Sequence, residues 1–226
     1  MMRSWGNRPD AVVADEPLYA HYLKATGLPH PGAAETMASH EGDWREVVQW
    51  LTGPLPDGKS VFYQKHMTHH MLPNIELDWL ESLANCFLIR DPREMITSLT
   101  EFVPVPRIED TGLPQQVRIF DAVCQQTSAI PIVIDARDVL NNPRKILREV
   151  CRRVGLNFYD EMLEWAPGRR DTDGSWAKHW YKKVELTTSF GPYRPKPDEV
   201  PPELEGILEE CNELYEQLRP HRITID

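Results

Sequence analysis

The segment Gln64–His70, QKHMTHH, gathers one lysine and three histidines at the end of a β-rich run. Lysine and histidine can carry charge to a reacting group, or take a proton from it, near neutral pH. Lys65, His66 and His69 are therefore candidates for acid–base work, with His70 an alternative to the other histidines. Side chains alternate along a strand, so Lys65 and His66 cannot both enter one site while the strand stays regular. Glu16 is a second candidate base: it follows the run Ala11–Ala14, and Pro17 behind it marks a turn at a sheet edge. A different chemistry, anion binding, is suggested by Arg90 at the carboxyl end of an apolar run, where ligands of open α/β sheets bind. Ser98 lies eight residues further, about two helical turns on, and reaches the same ligand if the helix runs back along it. Arg169 and Arg170 follow Gly168 and offer bidentate contacts to a phosphate.

Each residue also has a plainer reading. Glu16 can be a cap or a solvated carboxylate, the histidines core-capping or solvated, and Arg90 one half of a structural ion pair. Arg169 and Arg170 can be balanced by Asp171 and Asp173. His-x-x-His-His alone does not make a metal site, because no cysteine or second carboxylate cluster accompanies it. No metal is expected.

Residues 53–60 read GPLPDGKS, a formal match to the phosphate-loop pattern G-x-x-x-x-G-K-[ST]. That loop needs a strand before it and a helix after it, so that backbone N–H groups converge on the phosphates. Here a helical stripe ends at Leu51 and a β-rich run begins after Ser60, and Pro54 and Pro56 lack two of the donors. The segment reads as a helix-to-strand turn, which counts against a kinase-like phosphotransferase.

Four short runs must carry these residues: Ala11–Ala14, Ser60–Lys65, Asn85–Arg90 and Ile130–Asp135. They are apolar nearly throughout, as expected of strands covered on both faces. Helical stripes separate them. Trp44, Val47, Val48 and Leu51 form one; Val117, Phe120 and Cys124 lie in another between Gly112 and Ser128. Ile146, Leu147, Val150, Cys151 and Val154 follow the cap pair Asn142-Pro143 and stop at Gly155. Strand–helix alternation predicts an α/β protein, three layers deep (α/β/α), around a mainly parallel sheet. Trp176 and Trp180, four apart, read as core residues ahead of an adenine platform. Residues 191–202 are too rich in proline for helix or central strand and predict a linker. Leu204 to Leu218 then repeat at helical spacing, an acidic amphipathic helix that packs back on the domain.

The whole chain, 226 residues with 41% hydrophobic and 27% charged, suits one core with a small appendage. Eight acidic residues without a Lys or Arg lie between Asp198 and Glu216, leaving −2 of the formal −10 for the rest. A near-neutral body admits a pocket for a small anion but not a phosphate-backbone surface, so nucleic acid is excluded as a partner. No apolar run is long enough to span a bilayer, and the start MMRSWGNRPD has no signal-peptide core. The four widely spaced cysteines read as buried free thiols, and cytoplasm is the expected compartment.

Cys86–Leu99, CFLIRDPREMITSL, resembles the strand, arginine and helical serine that bind the 3′-phosphate of 3′-phosphoadenosine-5′-phosphosulfate in sulfotransferases; Arg90 and Ser98 reproduce their eight-residue spacing. Asp135–Phe158 is similar to the family's late strand–loop–helix. Asp15–Leu23, DEPLYAHYL, resembles a bacterial segment whose glutamate is a candidate base, and Gly168–Trp180, GRRDTDGSWAKHW, a late loop that closes over the cofactor with basic residues and G-x-W. Gln64–His70 looks like the K-T-H strand end of cytosolic members, with the histidine out of register. The resemblance implies a sulfotransferase-like, P-loop-class fold over residues 1–190, with 191–226 appended. It implies transfer of a sulfuryl group from that nucleotide to a small hydroxyl acceptor. Glu16, Lys65, His66 and His69 would stand at the transferred group, and Arg90, Ser98, Arg169 and Arg170 on the cofactor. Met1–Trp5 looks like the interior of a helix that follows the family's first strand and phosphate loop. A form without that loop is expected to be a poor catalyst, or a binding domain only, and to leave a slot through which copies can pair.

Overall fold

In the computed structural model, which describes residues 1–195 and 199–225, four strands and ten α-helices form. In chain order they are α1 (Met2–Trp5), β1 (Ala11–Asp15), α2 (Tyr19–Thr26), α3 (Ala33–Ser39), α4 (Trp44–Leu51), β2 (Val61–Lys65), β3 (Cys86–Ile89) and α5 (Pro92–Leu99). There follow α6 (Leu113–Thr127), β4 (Ile132–Asp135), α7 (Ala136–Asn141), α8 (Pro143–Arg153), α9 (Ala177–Trp180) and α10 (Glu205–Leu218). The protein is α/β with parallel strands. Among the described residues the strands make two separate pairs, β1 with β2 and β3 with β4, in place of one continuous sheet. No described helix is long and apolar enough to cross a membrane.

Two compact units result. The first comprises Met1–Glu76 and Phe158–Gly191. Its strands pair in parallel from Ala11 opposite Val61 to Asp15 opposite Lys65. A parallel pair cannot be closed by a tight turn, and α2, α3 and α4 make the crossover. Asp43 caps α4 by accepting from the Arg45 N–H at 2.9 Å, and Trp44, Val47 and Leu51 bury the expected stripe. Residues 53–60 join α4 to β2, with Lys59 Nζ donating to the Pro9 carbonyl at 2.8 Å, so the lysine is spent on a turn. Trp5 stacks on Tyr63 at 5.0 Å, and a core of Tyr19, Tyr22, Leu23 and Trp176 lies beneath α2. Trp176 is a core residue, as the spacing suggested, while Trp180 is half-buried and packs against that core. Arg3 and Asp173, both buried, form a two-pronged ion pair at 2.8 and 2.7 Å that ties α1 to the loop before Trp176.

The second unit comprises Leu77–Asn157 and the described residues from Pro192 onward. Its strands pair in parallel from Cys86 opposite Ile132 to Ile89 opposite Asp135. Asp91 accepts from the Arg93 N–H at 3.0 Å ahead of Pro92, and so starts α5 directly after β3. Asn142 does the same for α8, and Asp135 for α7. Helix α10 packs on α5 and α6 through Ile96, Leu113, Leu204, Leu208 and Cys211. Beyond it Ile223 N–H donates to the Val133 carbonyl at 2.8 Å, so the C-terminal segment docks along β4.

Three expectations need correction. Strand β3 is not covered on both faces: Phe87 and Ile89 are buried while Cys86 and Leu88 are exposed, the alternation of a half-buried strand. The cysteines are all free but not all buried: Cys151 and Cys211 are buried, Cys124 is half-buried at the margin of α6, and Cys86 is exposed by the alternation of β3. The α6 stripe is rotated, with Leu113, Ile119, Phe120 and Val123 buried and Val117 and Cys124 at its margin. Of the predicted 191–202 linker, residues 196–198 lie outside the described residues; Pro202–Leu204 already turn as a 3-10 helix into α10.

A Cβ at Gly174 would fall 2.2 Å from Trp176 Cη2, so only glycine lets the indole fold back onto its own chain. Gly174→Ala should therefore destabilise the protein by about 1–3 kcal/mol, lowering Tm by about 2–4 °C per kcal/mol. Gly191→Ala, with no atom near the added carbon, serves as the control in the same thermal melts.

Candidate functional site

The carboxyl ends of β1 and β2 bring a cluster of ionisable groups together. Parallel register sets Asp15 beside Lys65, and the next residue, Glu16, turns sharply. Its N–H still bonds to the Lys65 carbonyl at 2.8 Å, but its φ is +46°, a left-handed conformation that costs a non-glycine residue about 1 kcal/mol or more. That turn brings both carboxylates to one ammonium. Lys65 Nζ donates to Asp15 Oδ1 at 3.1 Å, to Glu16 Oε1, and to Tyr181 Oη at 2.9 Å. Tyr181 Oη in turn donates to Asp15 Oδ2 at 2.5 Å and reaches Glu16 Oε1 at 3.5 Å.

Two acids share one cation here. Burial pushes the Glu16 carboxyl above its ordinary value, and the Asp15 charge adds to this against the pull of Lys65. Burial alone would lower the Lys65 ammonium, but Glu16 and Asp15 overcome it and hold the amine well above the usual lysine range. Lys65 is thus a fixed positive charge, and Glu16 is a carboxylate with raised proton affinity. Burial also drives the Tyr181 phenol upward, so it stays protonated as a donor.

The histidine against Glu16 is His70, whose Nδ1 lies 4.0 Å from Glu16 Oε2 without a hydrogen-bond partner. The Tyr19 ring stacks on it at 4.6 Å, and burial lowers its pKa well below the ordinary histidine value. His66 Nε2 lies 3.4 Å from Gln64 Oε1, and His69 sets its ring edge-on to Tyr22 at 5.5 Å. Strand β2 ends at Lys65, and the 3-10 turn Thr68–His70 that follows carries His70 back towards Glu16. Asp15 and Tyr181 were missed in the sequence. Asp15 was legible as the neighbour of Glu16, but Tyr181, one residue beyond the G-x-W loop, carried no local signal.

Arg169 is exposed and Arg170 half-buried. The carboxylate of Asp173, expected to balance them, is taken by Arg3 and by the Arg170 N–H at 2.8 Å. Burial and the neighbouring Arg3 lower the Arg170 guanidinium pKa, against the opposing Asp173.

In the second unit, Arg90 leaves the end of β3 and its NH1 donates to Ser98 Oγ at 3.2 Å. The eight-residue spacing thus closes into direct contact, because α5 runs back past the strand end. Glu94 lies between them in sequence, its Oε2 3.5 Å from Arg90 Nε. A guanidinium and a hydroxyl presented together are a donor set for an anion such as a phosphate. Nearby, a cavity of about 300 Å³ opens beside Asp91, Asp135, Arg137 and Tyr215, with Tyr215 Oη donating to Asp135 Oδ2 at 2.6 Å. Among the described residues no group of three His, Cys, Asp or Glu is arranged to hold a metal ion.

Residues 1–218 match the family model described as a sulfotransferase domain. Branched-chain-amino-acid aminotransferase-like proteins 2 and 1 of Arabidopsis thaliana are 31% and 33% identical over 221 residues, 98% of this chain. The chain spans 39% of the length of each. Among solved structures, the sulfotransferase domain of the Synechococcus PCC 7002 olefin synthase is similar with a TM-score of 0.46 and 14% identity, over 91% of this chain and 94% of that one. The sulfotransferase domain from the curacin biosynthetic pathway gives 0.40 and 16%, over 86% and 78%.

Two outcomes follow from the charges. Lys65→Met leaves Asp15 and Glu16 facing each other without a cation and should cost up to about 3–5 kcal/mol, read by urea denaturation. His66, held at a pKa of about 4 by burial and by Lys65, refuses a proton that the unfolded chain accepts below about 6.5. The unfolded state then binds more protons, so stability falls as pH drops through that window, by at most about 1.4 kcal/mol per unit for this group. Glu16, shifted upward, contributes with the opposite sign. His66→Asn should flatten the pH profile of stability relative to the parent in the same denaturation series.

Proposed function

The chain belongs to the sulfotransferase domain family, and on that premise we propose that it transfers a sulfuryl group from 3′-phosphoadenosine-5′-phosphosulfate to a hydroxyl of a small acceptor. The observation that carries this reading is the Glu16–Lys65–Tyr181 cluster: a carboxylate of raised proton affinity held beside a fixed cation. When bound, the nucleotide supplies the sulfuryl group and a phosphate leaving group. Glu16 takes the acceptor's hydroxyl proton as the oxygen attacks, which is the work of a general base. Lys65 stays charged throughout and steadies negative charge that develops beside it. Tyr181 holds the lysine and Asp15 in place, and neutral His70 walls the far side of Glu16. His66 and His69 stand next to this cluster in sequence and are assigned supporting roles on the acceptor side.

The donor set of Arg90 and Ser98 fits the 3′-phosphate of the nucleotide, and we assign it that role; Arg169 and Arg170 are assigned to the cofactor's phosphates as well. Acceptor identity is left to a screen. The partner is a small molecule, and no metal takes part in the assignment. The cytoplasm remains the compartment proposed.

Labelled phosphosulfate nucleotide offered with a panel of hydroxylated small molecules tests the reading directly. Glu16→Gln should lower turnover by about 10²–10⁴-fold while leaving affinity for adenosine 3′,5′-bisphosphate near the parent's. Arg90→Ala should weaken that affinity by about ten-fold or more in calorimetry. Parental turnover in Glu16→Gln would remove the base assignment, and parental binding in Arg90→Ala would remove the phosphate assignment.

A further inference from the structure

In the second unit the Arg90–Ser98 pair does not stand alone. Glu94 sits one turn into α5, its side chain only 12% exposed, against 39% for Arg90. One carboxylate oxygen faces Arg90 Nε at 3.5 Å; the other accepts a hydrogen bond from Tyr193 Oη. Tyr193 Oη also accepts from Arg137 NH2 at 3.0 Å, and the Arg137 guanidinium lies 5.0 Å over the Tyr193 ring. One carboxylate is therefore ringed by a guanidinium, a phenol and, through the phenol, a second guanidinium. These donors come from three separate stretches of chain: the end of β3, the first turn of α7 and the segment just after Gly191.

Two other carboxylates lie near Arg137: Asp138 pairs with Arg222 at 3.6 Å, and Asp135 is committed elsewhere. It caps α7 through the Arg137 N–H at 2.8 Å and takes the Tyr215 hydroxyl. Glu94, in contrast, projects from the side of α5 and caps nothing with its own side chain. Arginine and phenol donors serve carboxylate and phosphate oxygens alike, and a phosphate monoester brings up to two charges where Glu94 brings one.

We propose that Tyr193 and Arg137 complete the anion site begun by Arg90 and Ser98, and that Glu94 is its resident counter-ion, which gives way when the 3′-phosphate of a nucleotide binds. The proposal rests on reading Arg90 and Ser98 as a phosphate site. An internal carboxylate that must leave first lowers the apparent affinity by the fraction of time the donors are free. It also selects for ligands of higher charge. Glu94 is then a specificity-determining residue, and its removal tightens binding instead of weakening it. A merely structural ion pair would behave the opposite way.

Calorimetry with adenosine 3′,5′-bisphosphate, adenosine 5′-monophosphate and inorganic phosphate separates the outcomes, with thermal melts confirming that each variant is folded. Glu94→Gln should bind the bisphosphate about ten-fold more tightly than the parent and the 5′-monophosphate no better. Tyr193→Phe and Arg137→Ala should each weaken the bisphosphate about three- to ten-fold. If Arg90→Ala loses affinity but Glu94→Gln binds no more tightly, the counter-ion role is overturned and the Arg90 site survives. Parental affinity in both Tyr193→Phe and Arg137→Ala would overturn their membership of the site. Equal tightening of all three ligands in Glu94→Gln would overturn the preference for a nucleotide 3′-phosphate. Unchanged binding in Arg90→Ala would overturn the phosphate site itself and this proposal with it.

Discussion

Parallel pairing of β1 with β2 ends on Asp15 opposite Lys65, and the left-handed turn at Glu16 brings a second carboxylate to the same ammonium. Most of the first unit's chemistry depends on that arrangement. A regular strand would send Glu16 to the opposite face from Asp15, because side chains alternate. The strained turn defeats the alternation, and the bond from the Glu16 N–H to the Lys65 carbonyl keeps the turn in register. With two acids on one base, compensation is incomplete, and burial settles which group gains affinity for a proton. Lys65 cannot give up its proton without leaving two buried carboxylates unpaired.

Around that centre, packing restrains the groups that chemistry needs still. Tyr19 stacks on His70, Trp176 meets the Tyr19 ring edge-on at 5.2 Å and so holds it against the imidazole, and His70 Nδ1 lies 4.0 Å from Glu16. Trp176 in turn needs Gly174 beneath it, and the Asp173–Arg3 pair fixes the loop from which both project. Tyr181 follows α9 directly and is carried to Lys65 by the same stretch of chain.

The second unit solves a different problem with the same elements. Short polar caps, Asp91 before α5 and Asp135 before α7, stop each strand and launch the helix at once. Side chains flanking those junctions, Arg90 and Arg137, are thereby set at strand ends with little freedom in the backbone that bears them. The acidic helix α10 buries its apolar stripe on α5 and α6 and lends Tyr215 to Asp135, so its many glutamates face water and its single phenol faces the strand end.

Amino-acid order alone determined the pieces whose cause is local. Asn142-Pro143 and Asp91-Pro92 mark helix starts through capping, the stripe from Leu204 to Leu218 marks a helix through its period, and GPLPDGKS betrays itself as a turn through its prolines. Arg90 and Ser98 were legible for the same reason, since a strand–turn–helix junction fixes how far apart two of its residues fall. What tertiary structure decided is everything set by long-range pairing. Which histidine meets Glu16 depends on where β2 stops, and the one-sided exposure of β3 depends on what covers it. Tyr181 reaches Asp15 across 166 residues of chain, and Tyr193 reaches Glu94 across 99. No periodicity or cap encodes such meetings, because they exist only after parallel strands have paired and the helices have closed over them.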